Sequence, residues 1–199
     1  NRSLSTQMKA TGEVMGVGRT IEESMLKAIR SLEIKACHLE LKYLKDYSVE
    51  QLLELIDRHT DERPFAICEA FRRGVTIDEI YEHTKIDRLF LEKFHNIVDF
   101  EEALKNSPLS EELIREAKRL GFSDEYLGKI YGKSKLDIYR YRKEKGIYPV
   151  YKMVDTCAAE FEAATPYYYS TFRAEQDEVA VSNKRKVIVL GSGPIRIGQ

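Results

Sequence analysis

Apolar residues recur at helical spacing along most of this chain. Ile21, Met25, Ala28, Ile29 and Leu32 keep to one face behind Thr20 and Glu23, a pair able to satisfy two N–H groups of a first turn reciprocally. A helix over roughly Ile21 to Leu32 is predicted. Ser48 and Gln51 repeat the device ahead of Leu52, Leu53, Leu55 and Ile56, predicting a second helix that ends near His59. Asp61 as cap and Pro64 as opener predict a third, in which Phe65, Cys68 and Phe71 share a face until Gly74 stops it.

The pattern then repeats itself. Ala70-Phe71-Arg72-Arg73-Gly74-Val75-Thr76 returns 47 residues later as Ala117-Lys118-Arg119-Leu120-Gly121-Phe122-Ser123, each time a helix end, a glycine, an apolar residue and a cap. Two helices follow each copy: Ile77 to Thr84 with Arg88 to about Lys105, and Asp124 to Tyr131 with Lys135 to Lys145. This predicts a duplicated three-helix unit. Two copies are fewer than a solenoid needs, so the units are expected to pack on each other. Phe90, Phe94, Ile97 and Leu104 form the stripe that would make the seam. Asn106-Ser107-Pro108 reads as the turn between copies, and Gly146 and Pro149 close the second.

From Val150 to Phe172 neither a helical nor a linker pattern fits. Small residues beside Tyr151, Phe161, Tyr167, Tyr168 and Tyr169 suggest backbone against backbone, with rings lying over it and hydroxyls finding polar partners. The stretch reads as a clasp between two modules; an irregular loop buried within one domain is the alternative. Arg173 to Lys186 is polar and reads as a linker. Lys186-Val187-Ile188-Val189-Leu190 has the β-branched run of a strand buried on both faces of a parallel sheet, and a glycine loop follows directly. Near the other end, Gly12, Gly16 and Gly18 around Glu13-Val14-Met15 read as a short extended piece without companion strands. The predicted fold class is mainly α, a helical domain built from the duplicated unit, with a short extended C-terminal segment from a following α/β domain.

Composition narrows the class of protein. A hydrophobic content of 43% supplies a core, and 33% charged residues at a net charge of −1 describe a mixed-sign surface. No apolar run nears the roughly 20 residues that span a bilayer, and no leader pattern is visible. Three widely spaced cysteines, Cys37, Cys68 and Cys157, fit buried thiols in a reducing compartment and point to the cytoplasm. The chain opens on Asn1 and stops at Gln199 inside a glycine loop, so a piece of something larger is expected.

Candidate chemistry is sparse. Gly191, Gly193 and Gly198 after the strand resemble a phosphate-cradling turn, but the spacing is G-x-G-x(4)-G, and a tight strand-exit turn without ligand is the simpler account. Gly121 to Gly146 has the outline of a DNA-reading helix-turn-helix with Lys135, Arg140, Arg142, Lys143 and Lys145 on its second helix. Leu136, Ile138, Tyr139 and Tyr141 and the slightly acidic chain favour a solvated basic face on a packed helix. His38, His59, His83 and His95 show no metal-ligand spacing and read as satisfied or surface residues. Cys157 has no histidine close in sequence to make it a nucleophile. Glu22-Glu23, Glu101-Glu102 and Glu111-Glu112 read as helix-dipole partners or solvated charges.

Four stretches carry a resemblance. Gln7-Met8-Lys9 with Gly12-Glu13-Val14-Met15-Gly16 and Gly18-Arg19-Thr20 resembles the end of the first ATP-grasp half of carbamoyl phosphate synthetase large subunits. Ile86-Asp87-Arg88-Leu89-Phe90-Leu91 is similar to part of their helical oligomerisation domain, and Val150 to Phe161 with Tyr169-Ser170-Thr171 resembles the segment leaving it. Val189 to Gln199 resembles the opening of the second, carbamoyl-phosphate-forming half. Met153 stands where relatives have a basic residue, and Cys37 to Thr60 carries no such motif.

The resemblance implies a ligase that phosphorylates bicarbonate and then carbamate with two ATP and Mg or Mn, using ammonia from a glutaminase small subunit, for arginine and pyrimidine synthesis. It divides the chain into 1–28, the end of the first half; 29–178, a helical self-association domain that includes the clasp; and 179–199, a linker with the start of the second half. It implies no catalytic residue and no metal ligand here. It places Gly191, Gly193, Arg196 and Gly198 near the nucleotide or the ammonia passage of the intact subunit. No cofactor, nucleic acid or membrane partner and no synthetase activity are expected of the chain alone; the runner-up reading is a DNA-binding module using residues 121–146.

Overall fold

The computed structural model describes residues 5–7, 14–32, 34–162 and 167–190. Among them the chain forms α1 (Ile21–Ser31), α2 (Val49–Asp57), α3 (Arg63–Arg72), α4 (Ile77–Thr84), α5 (Arg88–Lys105), α6 (Glu111–Arg119), α7 (Asp124–Tyr131), α8 (Lys135–Glu144), β1 (Val150–Met153) and β2 (Tyr168–Thr171), with a 3-10 turn at Lys42–Asp46. The mainly α class read from the sequence is the class observed.

Local chemistry sets the helix limits. Thr20 Oγ1 accepts from Glu23 N at 3.2 Å, and Ser48 with Gln51 and Thr76 with Glu79 form reciprocal boxes. Such a cap is worth about 1 kcal/mol. The third helix begins differently from expectation: Glu62, not Asp61, is its cap residue. Arg63 N already bonds Thr60 O at 3.2 Å and Pro64 has no N–H, so the first turn asks little of a side chain at 61. Every residue from Phe65 to Phe71 is buried, because α2 and α5 both pack on α3 and leave it no solvent face.

The duplication is visible in the backbone. Gly74 and Gly121 both turn left-handed, at φ +83° and +94°. Val75 N reaches back to Ala70 O at 3.1 Å, as Phe122 N does to Ala117 O at 2.9 Å. This ending satisfies the last carbonyls of α3 and α6 and turns an apolar side chain inward. The first unit comprises α3, α4 and α5, the second α6, α7 and α8.

The seam between the units is narrower than the apolar stripe suggested. Phe94, Ile97 and Leu104 are buried, but Phe90 is 48% exposed. The Phe90 end of α5 faces α1, where Ile21 and Met25 close over Phe94 and Ile97. The second unit meets α5 further along, where Phe100 packs edge-on to Phe122 with centroids 5.8 Å apart. An added helix therefore takes half of the stripe. α1 runs unbroken across residues 28 and 29, and both its Leu26 and Ile29 belong to the core.

The clasp is a β-hairpin: β1 and β2 pair antiparallel, with Val150 opposite Thr171 and Met153 opposite Tyr168. Backbone lies against backbone as expected, but the rings do not cover it. Tyr151, Tyr167 and Tyr168 are exposed, and Tyr169 is half-buried with its ring 5.6 Å from Lys27 Nζ. The ribbon meets α1 through polar groups, Lys27 donating to Ser170 O and Glu23 accepting from Thr171 Oγ1. The polar run after it is no free linker at its start: Asp177 Oδ1 accepts from Tyr151 N at 2.6 Å, and Glu178 N donates to Tyr151 O at 2.9 Å. Against the expectation of a strand buried on both faces, Lys186 to Leu190 forms no strand with the described residues, and Leu190 is 92% exposed.

Candidate functional site

Two buried ionic clusters and one docked hairpin tie the helices into a unit. The first cluster centres on Glu101, which lies on the buried face of α5 with Ile97 and Leu104. Arg72, on α3, grips its carboxylate with Nε at 3.1 and 3.2 Å and Nη2 at 2.9 Å. The same guanidinium donates to Leu39 O at 2.9 Å and to Glu69 at 3.2 Å. Lys105 Nζ adds a contact at 2.5 Å from one turn along. Burial pushes the Glu101 carboxyl up, but the Arg72 and Lys105 cations outweigh it and hold it well below the ordinary carboxylate range. Removing one member of such a network costs about 3–5 kcal/mol, because its partners stay buried and unpaired.

His38 completes this cluster from the loop after α1. It is 1% exposed, stacks on Tyr126 at 3.8 Å and lies 4.8 Å from Phe122. Its Nε2 stands 3.4 Å from Glu101 Oε2, an ion-pair distance without the direction of a hydrogen bond. Burial lowers its pKa against the pull of Glu101, so the ring is neutral at neutral pH. It is thus neither a surface nor a hydrogen-bonded histidine. His83 and His95 fit the expectation better, pairing with Asp57 at 3.0 Å and Asp99 at 2.9 Å, and His59 is exposed.

The second cluster belongs to α6, α7 and α8. Asp124 takes Lys118 Nζ at 2.9 Å and Arg142 Nε at 2.9 Å, while Arg142 Nη1 donates to Ile147 O at 3.1 Å. Lys118 Nζ also donates to Phe122 O at 2.7 Å. Burial pushes the Lys118 ammonium down to about 8, against the attraction of Asp124. Phe172, the first residue after β2, lies under both cations, 5.1 Å from Lys118 Nζ and 5.5 Å from the Arg142 guanidinium carbon. The helical units thereby hold the clasp.

A third set of contacts fixes the clasp to α1. Glu23 is 1% exposed and accepts from Arg19 N at 2.9 Å and from Thr171 Oγ1 at 3.1 Å. Lys27 donates to Val17 O at 2.7 Å and Ser170 O at 2.5 Å and pairs with Glu23 at 2.9 Å. Arg173 donates to Arg119 O at 3.1 Å. The segment Val14 to Gly18 runs so close over α1 that a Cβ on Gly16 would sit 2.2 Å from Ser24 O. The segment before α1 and the hairpin therefore both lie against α1.

These clusters correct the reading of the carboxylate pairs. Glu22 and Glu23 lie in the first turn of α1 as read but are buried, Glu101 is buried while Glu102 is solvated, and Glu111-Glu112 is a first-turn pair on a more open helix face. The signal was present for Glu101, a charge at helical spacing on an apolar stripe, and for Arg142, four residues after the buried Ile138. Of the helix-turn-helix cations, Arg142 is consumed inside the fold, while Lys135, Arg140, Lys143 and Lys145 are exposed. All three cysteines are free, but only Cys68 is buried; Cys37 and Cys157 are half-buried.

Gly191, Gly193, Arg196 and Gly198 lie outside the described residues. Among the described residues no group of three or more His, Cys, Asp or Glu side chains could hold a metal ion. No helix among them is long and apolar enough to cross a membrane. What the geometry can do is mechanical: it joins six duplicated helices, α1 and an outgoing hairpin into one cross-braced body. Over residues 13–146 the chain matches the family described as carbamoyl-phosphate synthetase large chain, oligomerisation domain.

Proposed function

The chain belongs to the family of the carbamoyl-phosphate synthetase large-chain oligomerisation domain, and from that membership we propose that it is the spacer and self-association domain between two catalytic halves. The observation that carries the reading is the bracing of both chain exits onto α1, with Val17 O and Ser170 O sharing Lys27 Nζ. A domain whose inlet and outlet are clamped to one helix can fix the relative placement of whatever precedes and follows it. Residues 1–28 would contain the end of the first half and 179–199 the start of the second, with Gly191, Gly193, Arg196 and Gly198 near nucleotide or ammonia in the intact subunit. That subunit would be a cytoplasmic ligase forming carbamoyl phosphate from bicarbonate, ammonia delivered by a glutaminase subunit, and two ATP with Mg or Mn, for arginine and pyrimidine synthesis.

The chain alone has no catalysis to offer in this reading, since phosphoryl transfer needs cations and a metal held around the phosphates. In this reading a nucleic acid is not its partner, and one cation of the candidate reading helix, Arg142, is already committed to Asp124 inside the fold. Sedimentation velocity over a hundredfold concentration range is the test. The expected result is a weight-average mass that rises with concentration, with bicarbonate-dependent ATP turnover at the buffer blank. A monomer throughout, or tight DNA retention with a steep salt dependence, would overturn the proposal.

A further inference from the structure

Cys37 and Lys129 are 92 positions apart in sequence, yet Lys129 Nζ stands 3.0 Å from Cys37 Sγ. Cys37 is half-buried in the loop after α1, and Lys129 sits in the last turn of α7. The approach is held from both sides. His38, next to Cys37, stacks on Tyr126, one turn before Lys129 on the same helix, and Glu125 Oε1 lies 3.3 Å from Lys129 Nζ. Burial raises the Cys37 thiol despite the neighbouring ammonium, so the resting pair is a thiol beside a cation and not a standing thiolate. Neither residue belongs to the two buried clusters. The Lys129 side chain is 57% exposed, which leaves the sulfur–nitrogen contact open to a small solute. Cys68, by contrast, is sealed in the core, with its thiol pushed up to about 12 by burial.

We propose that Cys37 and Lys129 are a redox-responsive cross-linking pair, joined by a peroxide into a sulfur–oxygen–nitrogen bridge. The thiol S–H and one amine N–H are broken after Lys129 has given its extra proton to a solvent base, hydroxide at alkaline pH. An S–O and an O–N bond form around one oxygen, two molecules of hydrogen peroxide are reduced, and three molecules of water leave. Two equivalents of a dithiol reverse the change, returning thiol, amine and one water. The stack of His38 on Tyr126 supplies the proximity that lets nitrogen capture the oxidised sulfur before further oxygen does. The bridge would close a loop running through the first helical unit and into the second, and so lock the loop bearing His38 onto α7.

The experiment treats the 199-residue chain carrying Cys157→Ser with hydrogen peroxide, then with or without dithiothreitol. The expected product gains about 14 Da, one oxygen less two hydrogens, and loses it on reduction. After cleavage at glutamate, the peptides holding Cys37 and Lys129 should run as one species. The oxidised form should melt higher by on the order of 10 °C, as for a cross-link closing a long loop. Lys129→Arg and Cys37→Ser, each with an unchanged reduced melt, should abolish all three signals. Gains of about 16 or 32 Da confined to Cys37 with Lys129 still open to trypsin, a disulfide between copies, or an unreacted Cys37 would each overturn the proposal.

Discussion

Gly74 and Gly121 occupy equivalent places in the two units, yet replacing them with alanine should have unequal costs. Both sit at left-handed φ, where a Cβ costs roughly 1–2 kcal/mol, offset in part by the lost freedom of glycine in the unfolded chain. At Gly74 the new methyl meets nothing within 4 Å, so Gly74→Ala should lose about 1 kcal/mol. At Gly121 it would sit 2.8 Å from Glu23 Cα, which is backbone and cannot rotate away. Relieving that overlap means moving α1, for a further roughly 1–3 kcal/mol of overpacking. It also disturbs the 2.7 Å bond from Arg30 Nη1 to Gly121 O. Gly121→Ala should therefore cost about 2–4 kcal/mol more than Gly74→Ala. Urea unfolding followed by helical circular dichroism gives both values, with equal slopes showing that the unfolded states are comparable. Equal losses would refute the claim that α1 is seated against the second unit.

Two further outcomes are expected. Glu101 has a folded pKa below its ordinary 4.5, so its contribution is complete above pH 4.5 and is lost as pH falls through the lower folded value. His38 is likewise depressed from 6.5, so its share is complete above pH 6.5 and starts to fall below it; His38→Phe should erase only this milder limb of a stability-versus-pH curve, and an unchanged curve would count against the neutral buried ring. Lys85 ends α4 at φ +53° where its counterpart in α7 is Gly132 at +61°, so Lys85→Gly should stabilise by about 0.5–1 kcal/mol despite losing an exposed ion pair with Glu82; a lower melting midpoint would contradict the strain argument.

Helix positions were legible because their determinants are local: a cap hydroxyl, a carboxylate three residues on, a glycine at the end. Such groups act over one turn, so Ile77–Thr84, Arg88–Lys105 and Asp124–Tyr131 could be read directly, and the family could be recognised from short motifs. The cap at Asp61 failed where Pro64 and Thr60 together changed what the first turn required. Charge burial was not legible in the same way, although Glu101 on an apolar stripe was a hint. Whether a carboxylate meets water or Arg72 depends on which helix arrives opposite it, and Arg72 lies 29 residues away.

The sequence by itself determined the helices, their stops and the duplication, since each rests on interactions among residues less than about five apart. Only the tertiary structure decided that α1 shares the seam of α5 with the second unit, that the clasp is a hairpin with Tyr151, Tyr167 and Tyr168 outward and Phe172 inward, and that Lys27 ties Val17 and Ser170 together. Those facts rest on pairs such as Thr171 with Glu23, 148 residues apart. A pattern of polar and apolar positions specifies which side chains must leave water; the partners they meet are set by how the helices pack.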